Sequence, residues 1–179
     1  MAGEQTDPWA SRSAGAAATM RCTAPRHTVL LVSDPQIQVR RFADLTPHQL
    51  YALLRLRVDV FVVEQDCPYP ELDDRDTEPD AEHLWVEVDG AVAATIRILT
   101  GHGVRHIGRV ATAQGHRSRG YAARLIEHAV DRIGEHPIEI GAQAYLEQWY
   151  ARFGFVRCGD NYLEDGILHL PMRREPPTV

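Results

Sequence analysis

The run Arg117-Ser118-Arg119-Gly120-Tyr121-Ala122 combines basic side chains with a glycine, just before a segment of helical periodicity. At a helix N-terminus the first backbone amides lack intrahelical partners and point outward, and the helix dipole adds positive potential there. Gly120 carries no side chain that would keep a diphosphate away from those amides. The run therefore predicts an anion-binding turn, while a basic loop that merely caps a helix is the competing interpretation.

Candidate proton carriers are spread along the chain. Tyr150 has a phenol that could protonate a leaving group, although a core tyrosine with its hydroxyl at the rim would look the same in sequence. His106 could accept a proton, and a solvent-exposed histidine at a strand end is an equally good interpretation. Three further titratable residues stand at the edges of apolar segments and compete for the same role: Glu64, His83 and His169.

Metal, nucleic-acid and membrane chemistry are not predicted. The nine histidines and three cysteines lack the spacing of an H-E-x-x-H helix or a Cys-x-x-Cys pair. A formal net charge of -6 would repel a phosphate backbone. No apolar run approaches the roughly 20 residues that span a bilayer, and the widely spaced Cys22, Cys67 and Cys158 fit a reducing compartment. We therefore expect a cytoplasmic protein with no metal, no nucleic-acid partner and no membrane partner.

The helices and strands that must position these residues lie after a predicted N-terminal tail. Residues 1–35 are rich in Ala, Ser, Thr, Gly and Pro without clear periodicity, which predicts poor order, and residues 36–179 are predicted to form one domain. The first helix of that domain is marked by Thr46 and Gln49, which have the spacing of a capping box.

Turn signals and periodicity divide the domain further. Asp89-Gly90 is a type I′ turn signature between two alternating segments, so it predicts a two-stranded hairpin. The segment from Glu64 to Glu82 carries three prolines and many carboxylates and is predicted as a long acidic loop. The predicted elements, in chain order, are a strand Ile37–Phe42, a helix from Pro47 to about Phe61, strands His83–Val88, Ala91–Leu99 and His106–Thr112, a helix Arg119–Ile133, a strand Ile138–Ile140, a helix Tyr145–Arg152, and strands Phe155–Cys158 and Ile167–Met172 on either side of a turn-like Gly159–Gly166.

These motifs and this element order resemble the GNAT superfamily of acetyltransferases. In that family the pyrophosphate loop reads Q/R-x-x-G-x-G/A, as Arg117–Ala122 does, and a later helix ends in Y-x-x-x-G-F, as Tyr150–Phe155 does. The resemblance covers the chain from Ile37 to Arg173. Four runs are similar, more narrowly, to the ElaA-type branch: Leu56–Gln65, Ile107–Val110, Ala142–Leu146 and Glu164–His169.

The resemblance implies an α/β (α+β) GNAT fold. Its central sheet is mixed and mostly antiparallel, with about seven strands, about four flanking helices and a splay between the fourth and fifth strands. It also implies acetyl-CoA as cosubstrate, with the pyrophosphate on backbone amides and on two arginines. Gln143 stands where many members place an asparagine on the pantetheine arm. The implied cofactor-binding residues are Val110, Ala111, Thr112, Arg117, Ser118, Arg119, Gly120, Tyr121, Ala122 and Gln143.

By the same resemblance the protein is expected to be an N-acetyltransferase that passes acetyl directly to a primary amine. Tyr150 matches the tyrosine that protonates the departing thiolate in many members, and His106 lies where histone-acetylating members carry a catalytic glutamate. Glu64, Arg97 and His169 are candidates for contacting the acceptor. Because the acidic loop lies on the acceptor side in this superfamily, the expected acceptor is a small cationic amine or a peptide amine.

Three arginines, Arg57, Arg97 and Arg109, interrupt apolar segments, and a buried guanidinium must find carboxylates because its desolvation is costly. The acidic loop offers several partners: Glu71, Asp73, Asp74 and Asp76. Two interpretations stay open, an ion-pair network that anchors the loop over the acceptor site and direct binding of the substrate.

Two other functions stay open as well. One is an acyl-homoserine-lactone-synthase-like activity. The synthases of that related group share with this chain the expected fold, an L-R-x-x-V-F helix, an acidic loop and arginines on the third and fourth strands. A non-catalytic acyl-CoA sensor would keep the glycine-bearing turn, although the presence of Tyr150 argues against it. The sequence does not decide between a monomer and a homodimer.

Overall fold

The computed structural model describes residues 35–177, so the predicted tail, apart from Pro35, lies outside the described residues. Eight strands in this part of the chain form one sheet. They are β1 (Ile37–Arg41), β2 (Glu82–Val88), β3 (Ala91–Gly101), β4 (Val104–Thr112), β5 (Ile138–Gln143), β6 (Val156–Arg157), β7 (Tyr162–Glu164) and β8 (Ile167–Arg174). The α-helices are α1 (Pro47–Val58), α2 (Tyr121–Ile133) and α3 (Glu147–Ala151). None of the helices within residues 35–177 is long and apolar enough to cross a bilayer.

Helix α1 begins with the capping box that its sequence predicts. Gln49 N donates to Thr46 Oγ1 at 3.2 Å, and Thr46 N donates to Gln49 Oε1 at 3.0 Å. Both amides would otherwise lack partners at the helix end. After Val58 the helix continues in π-helical geometry over Asp59–Glu64, past the predicted end near Phe61. A wider turn of this kind is common at functional sites.

The strands follow the order β1-β2-β3-β4-β5-β8-β6, with β7 paired to β8. Neighbouring strands are antiparallel except β4 and β5, which run parallel. The parallel pairing covers only Arg105 with Ile138 and His106 with Glu139, and beyond it the two strands diverge. The prediction of a mixed, mostly antiparallel GNAT sheet that is splayed between its fourth and fifth strands is confirmed.

The sheet has eight strands rather than about seven, and residues 35–177 form three α-helices rather than about four. The extra strand is β7, which lies in the segment predicted as a turn. Asp165 and Gly166 have φ of 49° and 79°, nearly the values of Asp89 and Gly90, 52° and 78°. Both Asp-Gly pairs therefore close hairpins. The acidic loop contributes only a 3₁₀ turn at Arg75–Thr77, in agreement with its prediction as a loop.

Strand β4 contains a bulge where it borders the splay. Its register with β3 shifts by one residue, so that Arg109 and Val110 together oppose Ile96. Arg109 has φ of 54°, a left-handed conformation that a regular strand would not contain. Bulges bend a strand and redirect its side chains, and they are frequent next to active sites.

One face of the sheet is covered by α2, which fixes where the predicted anion-binding turn lies. Leu125, Ile126 and Ala129 of α2 are fully buried and belong to the same apolar cluster as Ile140 and Leu170 of the sheet. Removing this much apolar surface from water is the main force that holds a helix on a sheet. The N-terminus of α2 is thereby held at the edge of the splay.

Candidate active site

The divergence of β4 and β5 opens a cavity of about 1150 Å³. Its walls come from both strands, the turn before α2, α3, the π-helical segment and the β7–β8 hairpin. Side chains of very different chemistry face this space, among them Glu64, Arg109, Tyr150 and His169. Most of the residues that the sequence singles out therefore meet at one place.

The turn Arg117–Ala122, called the α2 turn below, borders this cavity. Ser118 and Gly120 have φ of 61° and 80°, and no side chain of the described residues caps α2. The first intrahelical hydrogen bond runs from Arg124 N to Gly120 O at 3.0 Å, so the helix amides before Arg124 lack intrahelical partners. A Cβ at Gly120 would meet no protein atom within 4 Å, so it is the positive φ that calls for glycine there.

Two arginines of the α2 turn have different surroundings. Arg117 forms a bidentate ion pair with Glu64, at 2.8 Å from Nη1 to Oε1 and 2.6 Å from Nη2 to Oε2, and its Nε donates to Thr112 O at 3.3 Å. The hydrogen bond from Arg117 lowers the pKa of the Glu64 carboxyl. Arg119 is exposed and makes no hydrogen bond or ion pair with another described residue. Glu64, a predicted acceptor contact, is thus tied to the predicted phosphate side of the cavity.

Of the three β4 residues predicted beside the pantetheine arm, two line the cavity. Val110 and Thr112 face it, as alternate residues of a strand should. The side chain of Ala111 points to the other side and is buried with Leu56 and Val60. The side chain of Ala111 therefore does not line the cavity, and only its backbone could contact a cofactor there.

Gln143, at the end of β5, is part of a hydrogen-bonded chain across the splay. Its Nε2 donates to Gln65 Oε1 at 3.2 Å, and its Oε1 accepts from Tyr145 Oη at 2.7 Å. Gln65 directly follows the π-helical segment. The amide predicted to contact the pantetheine arm is thus held by side chains of the protein, at the lip of the cavity.

Tyr150, on α3, is 5% exposed and lies edge-on between two other aromatic rings. The centroid distances are 4.7 Å to Trp149 and 6.1 Å to Phe155. Burial raises the pKa of the Tyr150 phenol, so the group carries its proton at neutral pH. No described residue forms a hydrogen bond with its hydroxyl. The proton is therefore available to a group that enters the cavity.

The three histidines that compete as proton acceptors lie in different places. His106 is at the closed end of the splay, with Nδ1 3.9 Å from Glu139 Oε2. His169, on β8, faces the cavity and places Nδ1 2.9 Å from Ile167 O. His83 does not line the cavity; it is buried, and its burial lowers the pKa of the imidazole. Within residues 35–177 no three His, Cys, Asp or Glu side chains are arranged to hold a metal ion.

The three arginines and the acidic loop form a buried assembly, called the arginine–carboxylate cluster below. Arg57 is hydrogen-bonded to Glu71 and, at 2.6 Å, to Asp76. Arg97 lies 2.7 Å from Asp73 and 2.9 Å from Asp76. Arg109 lies 3.0 Å from both Glu71 and Asp73. The cluster consists of six residues: Arg57, Glu71, Asp73, Asp76, Arg97 and Arg109.

The charges of this cluster balance, three guanidinium groups against three carboxylates. Burial alone would raise the pKa of Asp73, but hydrogen bonding and charge from Arg97 outweigh it and lower the pKa to about 2. Arg57 and Arg97 are 1% and 4% exposed, so they are withdrawn from the solvent as well as paired. Asp74, the remaining predicted partner, is exposed. The contacts match the first of the two interpretations, a network that anchors the acidic loop.

The sequence did not predict the aromatic side chains on the cavity wall beside His169. Tyr162 of β7 stacks on His169 with ring centroids 5.7 Å apart and an interplanar angle of 25°. Its hydroxyl lies over Gly141 of β5, where a Cβ would come within 2.5 Å of it. Tyr69 adds a phenol that donates to Glu71 of the cluster. The Asp-Gly pair after β7 was the one signal in the sequence for the strand that carries Tyr162.

Comparison with known proteins identifies relatives over nearly all of the described residues. The profile of the acetyltransferase (GNAT) domain family matches residues 46–176. A UPF0039 protein of Mycobacterium tuberculosis is 49% identical over 136 residues, 73% of this chain and 87% of that protein. ElaA of Escherichia coli is 37% identical over 140 residues, 74% of this chain and 92% of ElaA.

Solved structures agree. The crystal structure of an acyl-CoA N-acyltransferase from Pseudomonas aeruginosa has a TM-score of 0.76 at 40% identity, covering 79% of this chain and 99% of that one. The crystal structure of Escherichia coli ElaA has a TM-score of 0.75 at 34% identity, covering 79% of this chain and 100% of ElaA.

Proposed function

Because this chain belongs to the GNAT acetyltransferase family, we propose that it is an acyl-CoA-dependent N-acyltransferase that moves acetyl from acetyl-CoA to a primary amine. One observation carries the proposal: three complementary features border a single cavity. They are the free amides of the α2 turn, the edge of β4 beyond His106 that β5 leaves unpaired, and the protonated phenol of Tyr150. They suit, in turn, a diphosphate, the amide groups of a pantetheine arm and a departing thiolate.

The α2 turn would bind the pyrophosphate mainly through backbone amides. Arg119 of the same turn is exposed, makes no ion pair with another described residue, and can add a charge-assisted contact. Arg117 can do so only if it leaves Glu64, to which both of its terminal nitrogens are bound. Val110 and Thr112 would then border the pantetheine arm along β4, with Gln143 opposite them on β5.

In the reaction, the amine nitrogen attacks the thioester carbonyl carbon, a C–N bond forms and the C–S bond breaks. Tyr150 gives its proton to the sulfur. A thiolate that forms in the same buried site is poorly solvated, so its basicity rises together with that of the phenolate. The nitrogen must also lose a proton, and three imidazoles line the cavity, those of His106, His116 and His169.

Exposed carboxylates at the rim of the cavity support a cationic acceptor. The acidic loop, from which the sequence predicted such an acceptor, gives less support. Glu71, Asp73 and Asp76 are offset by arginines within the arginine–carboxylate cluster and leave little excess negative charge. Glu164 and Asp165, on the β7–β8 hairpin, border the cavity, are exposed and make no ion pair with a described residue. They are placed to attract a small cationic amine or the amine of a peptide.

A thiol-release screen tests the proposed function. Acetyl-CoA is offered with polyamines, amino sugars, lysine-ending peptides and protein N-termini, and free thiol is measured over time. We expect release with at least one amine and acetylation of that amine by mass spectrometry. Tight binding of acetyl-CoA without thiol release across the panel would show a sensor. Release only with acyl carrier protein and S-adenosylmethionine would show a homoserine-lactone synthase.

Replacing Tyr150→Phe separates binding from chemistry. The ring and its packing remain while the proton is lost, so we expect turnover to fall by roughly 10- to 10,000-fold, with the Kd for acetyl-CoA unchanged. Steady-state thiol release and calorimetric titration measure the two quantities. Unchanged turnover would assign the proton transfer to another group or to water.

A further inference from the structure

His169 lies at the open part of the splay, beside the end of β5. In the antiparallel pairing of β5 with β8, His169 is directly opposite Gln143. Side chains of directly paired residues project from the same face of a sheet, and both residues face the cavity that Tyr150 borders. The imidazole is partly buried, so it is held by the protein and still reaches the cavity.

A backbone carbonyl determines which nitrogen of His169 can act as a base. Nδ1 lies 2.9 Å from Ile167 O, and a carbonyl oxygen can only accept a hydrogen bond. Nδ1 must therefore carry the proton, and the neutral ring keeps its free lone pair on Nε2. No described residue forms a hydrogen bond with Nε2. That nitrogen is an available proton acceptor in a ring whose tautomer is already selected.

The orientation of this ring is fixed by a neighbouring tyrosine. Tyr162 stacks on the imidazole at 5.7 Å, and its hydroxyl reaches across β8 to lie over Gly141 of β5. A side chain at position 141 would occupy the place of that hydroxyl, because a Cβ there would be 2.5 Å away. Glycine at position 141 thus leaves room for the hydroxyl of Tyr162, whose ring stacks on His169.

Two other imidazoles line the cavity. His116 directly precedes the α2 turn, on the side proposed for the pyrophosphate, and His106 lies toward the closed end of the splay. It pairs with Glu139, which precedes Gln143 by four residues on β5, a distance of about 13 Å along the strand. Its Nε2 points toward Gly101, 3.7 Å from where a Cβ of that residue would be. Its Nδ1 faces the carboxylate of Glu139, which also binds Arg173 at 2.7 Å. His106 is thus directed toward the closed end of the splay.

From these contacts we infer that His169, through Nε2, is the general base of the proposed acyl transfer, and the inference rests on that function. When the neutral amine attacks the thioester carbonyl carbon, Nε2 takes the proton that the acylated nitrogen loses. The C–S bond breaks and the sulfur receives the proton of Tyr150. The imidazolium then returns a proton to the tyrosinate, directly or through water, so both residues regain their starting states and the products are the amide and free coenzyme A.

The tautomer is tested without turnover. In protein with ¹⁵N-labelled histidine, long-range ¹H–¹⁵N correlation spectra distinguish protonated from unprotonated ring nitrogens, and the His169→Asn spectrum assigns the residue. At a pH at which the ring is neutral, we expect its proton on Nδ1 and none on Nε2. A neutral ring with its proton on Nε2 would overturn the inference.

Chemistry is tested with two amines of similar shape, ethylamine and 2,2,2-trifluoroethylamine. Fluorination withdraws electrons, so that amine is largely unprotonated at neutral pH and its adduct loses a proton readily. His169→Asn keeps an amide donor for Ile167 O but removes the base. We expect transfer to ethylamine to fall by roughly 10²–10⁴-fold and transfer to trifluoroethylamine to fall much less, with acetyl-CoA affinity unchanged.

His106→Asn is the matched variant on β4, and we expect it to keep the wild-type ratio between the two amines. Equal loss with both amines in His169→Asn, or the ethylamine-specific loss in His106→Asn instead, would contradict the assignment of the base. Absence of thiol release by the wild-type protein with every amine of the screen would instead contradict the proposed function. The two failures are therefore distinguishable.

Discussion

The arginine–carboxylate cluster and the α2 turn border the same cavity and are both rich in charge, yet the protein treats their charges differently. In the cluster, each guanidinium is paired with carboxylates, and Arg57, at 1% exposure, lies between Glu71 and Asp76. In the α2 turn, Arg119 and the amides at the start of α2 have no partner among the described residues.

This difference indicates what each region does. A buried ion pair is already complete, so a ligand could bind its members only after the protein gives up contacts that offset a large desolvation cost. Exposed donors at a helix N-terminus have no such contacts to lose, and an anion that reaches them gains hydrogen bonds at once. Substitutions in the cluster should therefore change stability, and substitutions in the α2 turn should change cofactor binding.

The largest effect is expected for Arg57→Leu. It leaves the carboxylates of Glu71 and Asp76 buried without their main partner, and breaking a buried pair in this way costs about 3–5 kcal/mol of the free energy of unfolding. Urea denaturation measures the loss. Arg132→Leu is the matched control, because Arg132 forms a bidentate pair with Glu82 at 2.8 and 2.7 Å but is 45% exposed, and we expect about 0–1 kcal/mol.

Equal losses for the two arginine variants would show that burial does not govern the value of these pairs. If Arg57→Leu kept the wild-type stability and raised only the KM for the amine, the cluster would be part of the acceptor site, which is the second interpretation that the sequence allowed.

Next in size is Gly120→Glu, which brings a carboxylate to the proposed diphosphate site. Like charges in contact cost several kcal/mol, so we expect the Kd for acetyl-CoA to rise by roughly 100-fold or more, measured by calorimetry. Gly90→Glu is a closely matched control. Gly90 has φ of 78° against 80° at Gly120, and a Cβ at either position meets nothing within 4 Å. Equal affinity of the two variants for acetyl-CoA would show that the α2 turn is not the cofactor site.

Local patterns explain why the α2 turn was predictable from sequence. The capping box of Thr46 and Gln49, the hairpin at Asp89-Gly90 and the turn before α2 each depend on a few neighbouring residues, and the structure contains all three. The same Asp-Gly signal stood at 165–166, but the segment before it is short and exposed, so β7 was not predicted.

Contacts between distant segments were less predictable. The sequence showed that Arg57 needed a carboxylate, but pairing it with Asp76, 19 residues away, depends on how the acidic loop folds back. The π-helical extension of α1 has no local signature either. The stack of Tyr162 on His169 over Gly141 joins three strands whose register only the folded sheet defines.

Glu64 is an exposed carboxylate that pairs with Arg117, one of the donors of the α2 turn. If the α2 turn binds a diphosphate as proposed, the phosphate would compete with Glu64 for the guanidinium of Arg117. Glu64→Gln keeps the shape of the side chain and removes the charge. Since an exposed pair contributes at most about 1 kcal/mol, we expect acetyl-CoA to bind about two- to fivefold more tightly, with affinity that falls more steeply as salt is added.

Glu82→Gln removes the carboxylate of the bidentate pair with Arg132, which lies outside the cavity, and should leave acetyl-CoA affinity and its salt dependence unchanged. Weaker cofactor binding in Glu64→Gln would mean that the ion pair holds the α2 turn in its binding conformation, so that Arg117 acts by positioning the amides and not by contacting phosphate. A raised KM for the amine with unchanged cofactor affinity would return Glu64 to the acceptor side, where the sequence first suggested it. Because the three outcomes differ in which ligand responds and in which direction, a titration with acetyl-CoA and a measurement of the KM for the amine separate them.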